Sequence, residues 1–195
     1  MGSDLVVGSL KQVAKKQGKE VSAVIADAIL DGTAKIVIVD VSASMGNSDA
    51  SEGQQRIRAA QRELERLQEQ YPGEIILVEF SSSASFRFDG KLSAPNRLTN
   101  LISALALVEE YDGLCDIWVI TDGEDLSIDK CLQYAKTHKS KINTVFMGTS
   151  DPSAIDFLKN LSRLSGGQHA VTVSPGMLAA PVMGMLPPPK VAINL

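Results

Sequence analysis

Asp40, Ser42 and Ser44 stand at alternate positions in the run Asp40-Val-Ser42-Ala-Ser44 and offer one carboxylate and two hydroxyls. These are hard oxygen donors of the kind a small divalent cation takes. Mg²⁺ requires its oxygens at about 2.0 to 2.1 Å in near-octahedral order, whereas five residues kept extended at roughly 3.3 Å each would set the outer two about 13 Å apart. The chain is therefore expected to curl after Val41, where the small residues Ala43 and Gly46 let the backbone turn. Read alone, the same triplet serves equally as a polar turn, because Asp and Ser bond readily to nearby backbone.

Two further segments shift that balance. The apolar run Cys115-Asp-Ile-Trp-Val-Ile120 ends in Thr121-Asp122-Gly123-Glu124-Asp125, and Arg97-Leu-Thr99-Asn100 opens a helical pattern between the two runs. Taken together, the three segments resemble a von Willebrand factor type A domain with a metal-ion-dependent adhesion site. That family's pattern is Asp-x-Ser-x-Ser, then a lone Thr, then an Asp, and the resemblance spans roughly residues 34 to 173. It departs where Ala43 replaces a frequent Gly and where Arg97-Leu98 replaces a Gly pair before the Thr.

The resemblance implies a metal site of Asp40, Ser42, Ser44, Thr99 and Asp122, with the carboxylates acting partly through water. It also implies an open coordination place that takes an Asp or Glu of a protein partner. Two carboxylates and neutral hydroxyls only just balance a divalent ion, and the donor set suits Mg²⁺, with Mn²⁺ also fitting, better than Ca²⁺, which wants more ligands. Cytoplasmic domains of this kind often serve as adaptors to larger assemblies or ATPase machines, an analogy that names no partner.

The rival reading is a metal-dependent phosphohydrolase or phosphotransfer enzyme with Asp40 as nucleophile. Enzymes of that type usually carry a second acid two residues on, and here that position is Ser42. The sequence holds no phosphate-binding Gly-rich loop, no Gly-x-Ser-x-Gly turn and no His-Glu-x-x-His helix. Of its two histidines, His138 falls near a helix C-terminus, where a dipole contact or surface position suits it better than the role of a base, and His169 reads as strand edge. Glu124 and Asp125 read as turn and cap residues, as do Asn47, Ser48 and Asp49, while Ser81 to Ser83 are expected on the same rim as the motif.

To position these groups the chain alternates apolar runs of strand length with stretches of helical period, the pattern of a sheet covered on both faces. Strands are expected over 34–41, 74–80, 84–88, 115–121, 142–147 and 168–173, and helices over 52–70, 99–111, 127–138 and 153–164, with Ser127 and Ser153 as N-caps. The expected architecture is a doubly wound, Rossmann-like α/β fold whose mostly parallel six-stranded sheet has one antiparallel edge strand at 84–88. Ligands of such sheets bind beyond the strand carboxyl ends, where the strand order reverses.

Outside the domain at 34–173, residues 1–33 read as a helical extension of two short helices broken at Gly18, most simply an extra layer on the sheet's helices. Residues 174–195 read as an apolar, proline-rich extension, interrupted too often by proline to span a membrane. A chain of 195 residues with 44% hydrophobic and 22% charged residues has the composition of one ordinary globular unit. Its net charge of -4 argues against general nucleic-acid binding, which rests on many Lys and Arg contacts to phosphate. Cys115 and Cys131 read as free core thiols, and without a secretion-signal pattern the expected setting is the cytoplasm.

Overall fold

Strands rich in Ile and Val, too short to be helices and apolar at successive positions, can be satisfied only between two covering layers. Such strands form the centre of the computed structural model, which describes residues 5–48, 55–96, 98–123, 125, 127–148 and 151–172. Strands β1 (Lys35–Asp40), β2 (Ile75–Phe80), β3 (Ala84–Phe86), β4 (Ile117–Thr121), β5 (Ile142–Met147) and β6 (His169–Thr172) lie in the order β3-β2-β1-β4-β5-β6. All neighbours pair in parallel except β2 and β3, which are antiparallel. The sheet is the mostly parallel, six-stranded one with an antiparallel edge strand that the sequence pattern predicts.

Alternation along β1 divides the core in two. Ile36 and Ile38 belong to one apolar cluster with Ile76, Val78 and Phe80 of β2 and with residues of α1 (Leu10–Gln17), α2 (Val21–Leu30), α4 (Leu101–Leu107), α5 (Ile128–Thr137) and α6 (Pro152–Ser165). Val37 and Val39 belong to the other, together with Ile57, Ala60, Leu64 and Leu67 of α3 (Arg56–Gln70). Leu10 and Ala14 of α1 and Val24, Ile25 and Ala28 of α2 are buried in the same apolar cluster as the residues of α4, α5 and α6.

Several boundaries differ from expectation, each for a local reason. The helix expected from residue 99 begins at Leu101, because Asn100 is not helical (φ -143°, ψ 77°), and it gives way at Val108 to a short 3₁₀ turn. Strand β4 starts at Ile117, since the Cys115 N–H still bonds back to the Tyr111 carbonyl. The N-cap of α6 is Asp151 rather than Ser153: its carboxylate accepts from the backbone N–H groups of Ser153 and Ala154, with Pro152 in the first turn. Ser127 precedes α5 as expected but makes no side-chain capping bond to it. The expected C-terminal extension, Val173, Arg97, Glu124, Asp49 and the expected helix start at Glu52 lie outside the described residues.

From β1 the chain crosses to β2 on one side, and the later strands β4 to β6 are laid down on the other. Connections therefore leave the carboxyl ends of β1 and β4 in opposite directions, which opens a crevice between them. Asp40 ends β1, and Asp122 directly follows β4.

Candidate metal centre

The backbone curls after Val41 as the spacing of the three donors demands. Ser42 is extended (φ -65°, ψ 168°) and Ala43–Gly46 closes a single 3₁₀ turn, which brings the Ser42 and Ser44 hydroxyl oxygens to 3.0 Å of each other. Asp40 is fully buried at this corner. Its Oδ1 accepts from the Ser42 N–H at 2.7 Å and its Oδ2 from the Thr121 hydroxyl at 2.6 Å, while Thr121 Oγ1 accepts in turn from the Gly123 N–H at 3.0 Å. Burial pushes the Asp40 carboxyl up to about 7; the bonds from Thr121 and Ser42 oppose that rise, and the nearby Asp122 charge adds to it.

Asp122 is also buried. Its Oδ2 accepts from Arg56 Nη1 at 2.9 Å, whereas its Oδ1 has no hydrogen-bond partner. Arg56 opens α3 and lies against Gly148, just past β5, where an added Cβ would stand 3.3 Å from the guanidinium carbon. Thr99 is buried just before α4 and, with Ser42 and Ser44, lines a cleft of about 450 Å³. Leu98 (63% exposed) and Ile128 (40% exposed) give that cleft an apolar wall beside the hydroxyls. Ser42, Ser44 and Thr99 thus line one cleft, and Asp40 and Asp122 are buried at the carboxyl ends of the adjacent strands β1 and β4.

The donors fit a hard cation on three counts. They are all oxygens, Asp40 is held out of water without a positive partner among the described residues, and Asp122 keeps a buried oxygen unbonded. Among the described residues no three His, Cys, Asp or Glu side chains gather into a metal-binding group, so a cation here would lean on the hydroxyls. Such a set suits Mg²⁺ or Mn²⁺ and is poor in ligands for Ca²⁺, which takes six to eight oxygens.

No protein-family model and no curated protein matches the sequence. Solved structures do match the fold. An aerotolerance-related membrane protein from Bacteroides fragilis superposes with a TM-score of 0.60 at 15% identity, over 78% of this chain and 98% of that one. A von Willebrand factor type A protein from Catenulispora acidiphila gives 0.58 at 15% identity, over 78% of this chain and 41% of that one. The fold is that of a von Willebrand factor type A domain. Manganese-loaded TRAP protein from Plasmodium vivax shares it, with a TM-score of 0.54 at 14% identity over 80% of this chain and 74% of that one. Among the described residues of this type A fold, no helix is long and apolar enough to cross a membrane.

Two residues of this type A crevice, Arg56 and Thr121, hold carboxylates in ways that the sequence pattern does not announce. Arg56 falls inside the helix expected over 52–70, whereas the structure starts α3 at Arg56, where a cation opposes the helix dipole and pairs with Asp122. Thr121 was read as the last residue of a strand. Asp125, expected as a turn or cap residue, caps a helix other than the one it precedes: its Oδ2 accepts from the Leu101 N–H of α4 at 2.6 Å, and its Oδ1 from the Ser127 hydroxyl at 2.6 Å. Ser81 and Ser83 line a neighbouring cleft with Glu79 and Asn96, not the one lined by Ser42 and Ser44. His138 sits at the C-terminus of α5 with Nδ1 2.9 Å from the Tyr134 carbonyl oxygen, and His169 opens the edge strand β6 with Nδ1 2.8 Å from Thr144 Oγ1. Cys115 and Cys131 are free and buried.

Proposed function

We propose that this chain is a protein-interaction module that binds Mg²⁺, or Mn²⁺ in its place, through Asp40, Ser42, Ser44, Thr99 and Asp122, and so captures an Asp or Glu of a partner protein. One observation carries the reading. Asp40 is wholly removed from water with its carboxyl pushed up to about 7, in part by the nearby Asp122 charge, Asp122 keeps a buried oxygen unbonded, and Ser42 and Ser44, which follow Asp40, open on a cleft. A bound cation would supply the positive charge these carboxylates lack and a coordination place for an oxygen from outside. The residues of the chain do the rest: Ser42 N–H and Thr121 fix the Asp40 carboxylate, and Leu98 and Ile128 offer apolar contact to the residue beside the captured acid. The likeness in fold to a manganese-loaded protein supports the same view. On this reading residues 34–173 are the binding unit, placed in the cytoplasm as an adaptor to a larger assembly.

Hydrolysis with Asp40 as nucleophile fits less well, since both of its oxygens already accept hydrogen bonds and the residue has no exposed surface. Melting curves in chelator and in Mg²⁺ test the metal claim: the wild type gains stability with the ion and Asp40→Ala does not. An equal response of the two proteins would overturn it. Turnover of a generic phosphate ester that Asp40→Ala abolishes would overturn the binding reading. Chelator-sensitive capture of an acidic peptide, without turnover, is the expected result.

A further inference from the structure

The cleft lined by Ser42, Ser44 and Thr99 has two further kinds of lining, the apolar side chains of Leu98 and Ile128 and the carboxylates of Asp125 and Asp151. Both carboxylates are pinned. Asp125 Oδ2 accepts from the Leu101 N–H at 2.6 Å, and its Oδ1 accepts from the Ser127 N–H and hydroxyl. The bonds to Asp151, from the Ser153 N–H and hydroxyl and from the Ala154 N–H, all end on Oδ1 and leave Oδ2 to a ligand. Those bonds, the Ser153 hydroxyl's foremost, hold the Asp151 carboxyl below its ordinary value, so it stays charged near neutral pH. Such bonds orient a carboxylate without cancelling its charge.

The surroundings do not cancel it either. Residues 40–56, 81–83, 122–130 and 148–153, which lead off from the carboxyl ends of β1, β2, β4 and β5, together with 95–100, which lead into α4, contain eight Asp or Glu against three Arg or Lys. Whichever of these pair with one another, the excess of acid stands at five. A divalent ion offsets two of them, and the acid that a partner brings restores one. A segment rich in acids is therefore repelled by the cleft that offers its carboxylate a metal.

We infer that this rim selects a partner segment in which the captured Asp or Glu stands beside a Lys or Arg and an apolar residue. The cation meets Asp151 and Asp125, and the apolar side chain lies on Leu98 and Ile128. Charges are screened beyond about 8 Å at physiological salt, so the cation belongs within a residue or two of the acid. The inference rests on the metal reading above and narrows the partner it names.

The test is fluorescence anisotropy of three labelled peptides on the full chain, at a Mn²⁺ concentration that titration has shown to saturate wild type and variant alike. Each peptide carries a leucine and an aspartate at its centre, followed by arginine in the first, glutamine in the second and glutamate in the third. The arginine peptide is expected to bind about threefold tighter than the glutamine peptide and about tenfold tighter than the glutamate peptide, in keeping with exposed ion pairs. Asp151→Asn keeps a cap on α6, since asparagine serves there as well as aspartate, and should bring the arginine and glutamine peptides within about twofold of each other. Asp151→Ser, with another capping side chain, replaces it if melting shows that Asp151→Asn does not fold. Equal affinity for the three peptides, or an arginine preference that survives in full in the variant, would overturn the inference and leave the metal reading intact. Binding unchanged in chelator would overturn the metal reading and the seating of the acid on the ion, while the arginine preference is scored separately. Binding of none of the peptides would overturn both.

Discussion

Replacing Asp40 by Asn asks how much the buried carboxylate costs when nothing neutralises it. Burial raises its carboxyl from 3.8 to about 7, so between those values the folded chain keeps a proton that the unfolded chain has released. The metal-free protein therefore loses stability as pH climbs from about 4 to about 7 and stays at the lower level above. At about 1.4 kcal/mol per pH unit, the loss is on the order of 4 kcal/mol at pH 8. Asn escapes it. The amide oxygen still accepts from the Ser42 N–H, but the amide nitrogen cannot accept from the Thr121 hydroxyl, which forfeits about 1 kcal/mol. Asp40→Asn should thus exceed the wild type by roughly 3 kcal/mol at pH 8 in chelator, roughly 6 to 12 °C in Tm for a chain of this size, and fall slightly below it near pH 4.

Thermal and urea melts of both proteins across that range, plotted as their difference, make the measurement. His169, whose burial lowers its pKa, contributes stability that grows as pH rises, but it is common to both proteins and cancels. Saturating Mg²⁺, at about a hundred times its Kd, should then raise the wild type by about 2.7 kcal/mol and leave the variant unmoved. A variant no more stable than the wild type at pH 8 in chelator, or a difference that stays flat from pH 4 to 8, would refute the reasoning.

Gly123→Ala should destabilise the fold by roughly 2 to 4 kcal/mol in urea titrations, because its φ of 84° suits glycine and an added Cβ would stand 2.5 Å from the Ala154 Cβ. Asp125→Ala strips the cap from α4, with an expected loss of about 1 to 2 kcal/mol by the same titration. For Thr99→Ala the outcome runs the other way, with metal-free melting within about 1 kcal/mol of wild type and the Mg²⁺-induced rise in Tm reduced.

The sheet was legible because its strands are nearly continuous apolar runs bounded by polar turns. For β5 the expected and observed limits, Ile142–Met147, coincide. The start of α4 was not legible, since the carboxylate that caps it, Asp125, follows 24 residues after Leu101, and local pattern carries no trace of so distant a donor. At α6 two cap-forming residues flank Pro152, and that proline favours the earlier one, Asp151. Asp40, Ser42 and Ser44 could be read from their own spacing, whereas Thr99 and Asp122 joined them only through the likeness to a known pattern. Arg56 lies 66 residues from Asp122, and with the helix expected from residue 52 nothing local marked the pairing.

The loops around the crevice are stitched to one another before any ligand arrives. Asp125 ties the segment after β4 to the start of α4, Ser127 reaches the Asn100 side chain, Asn100 reaches the Ser82 carbonyl, and the Asn96 N–H bonds to the Val41 carbonyl. Four stretches distant in sequence therefore behave as one stiff rim. The conformational entropy of bringing them together is surrendered once, during folding, so little of the free energy of a later encounter is spent on ordering them. Recognition at this rim should accordingly be quick to form and governed by dissociation, with specificity residing in how long a visitor stays.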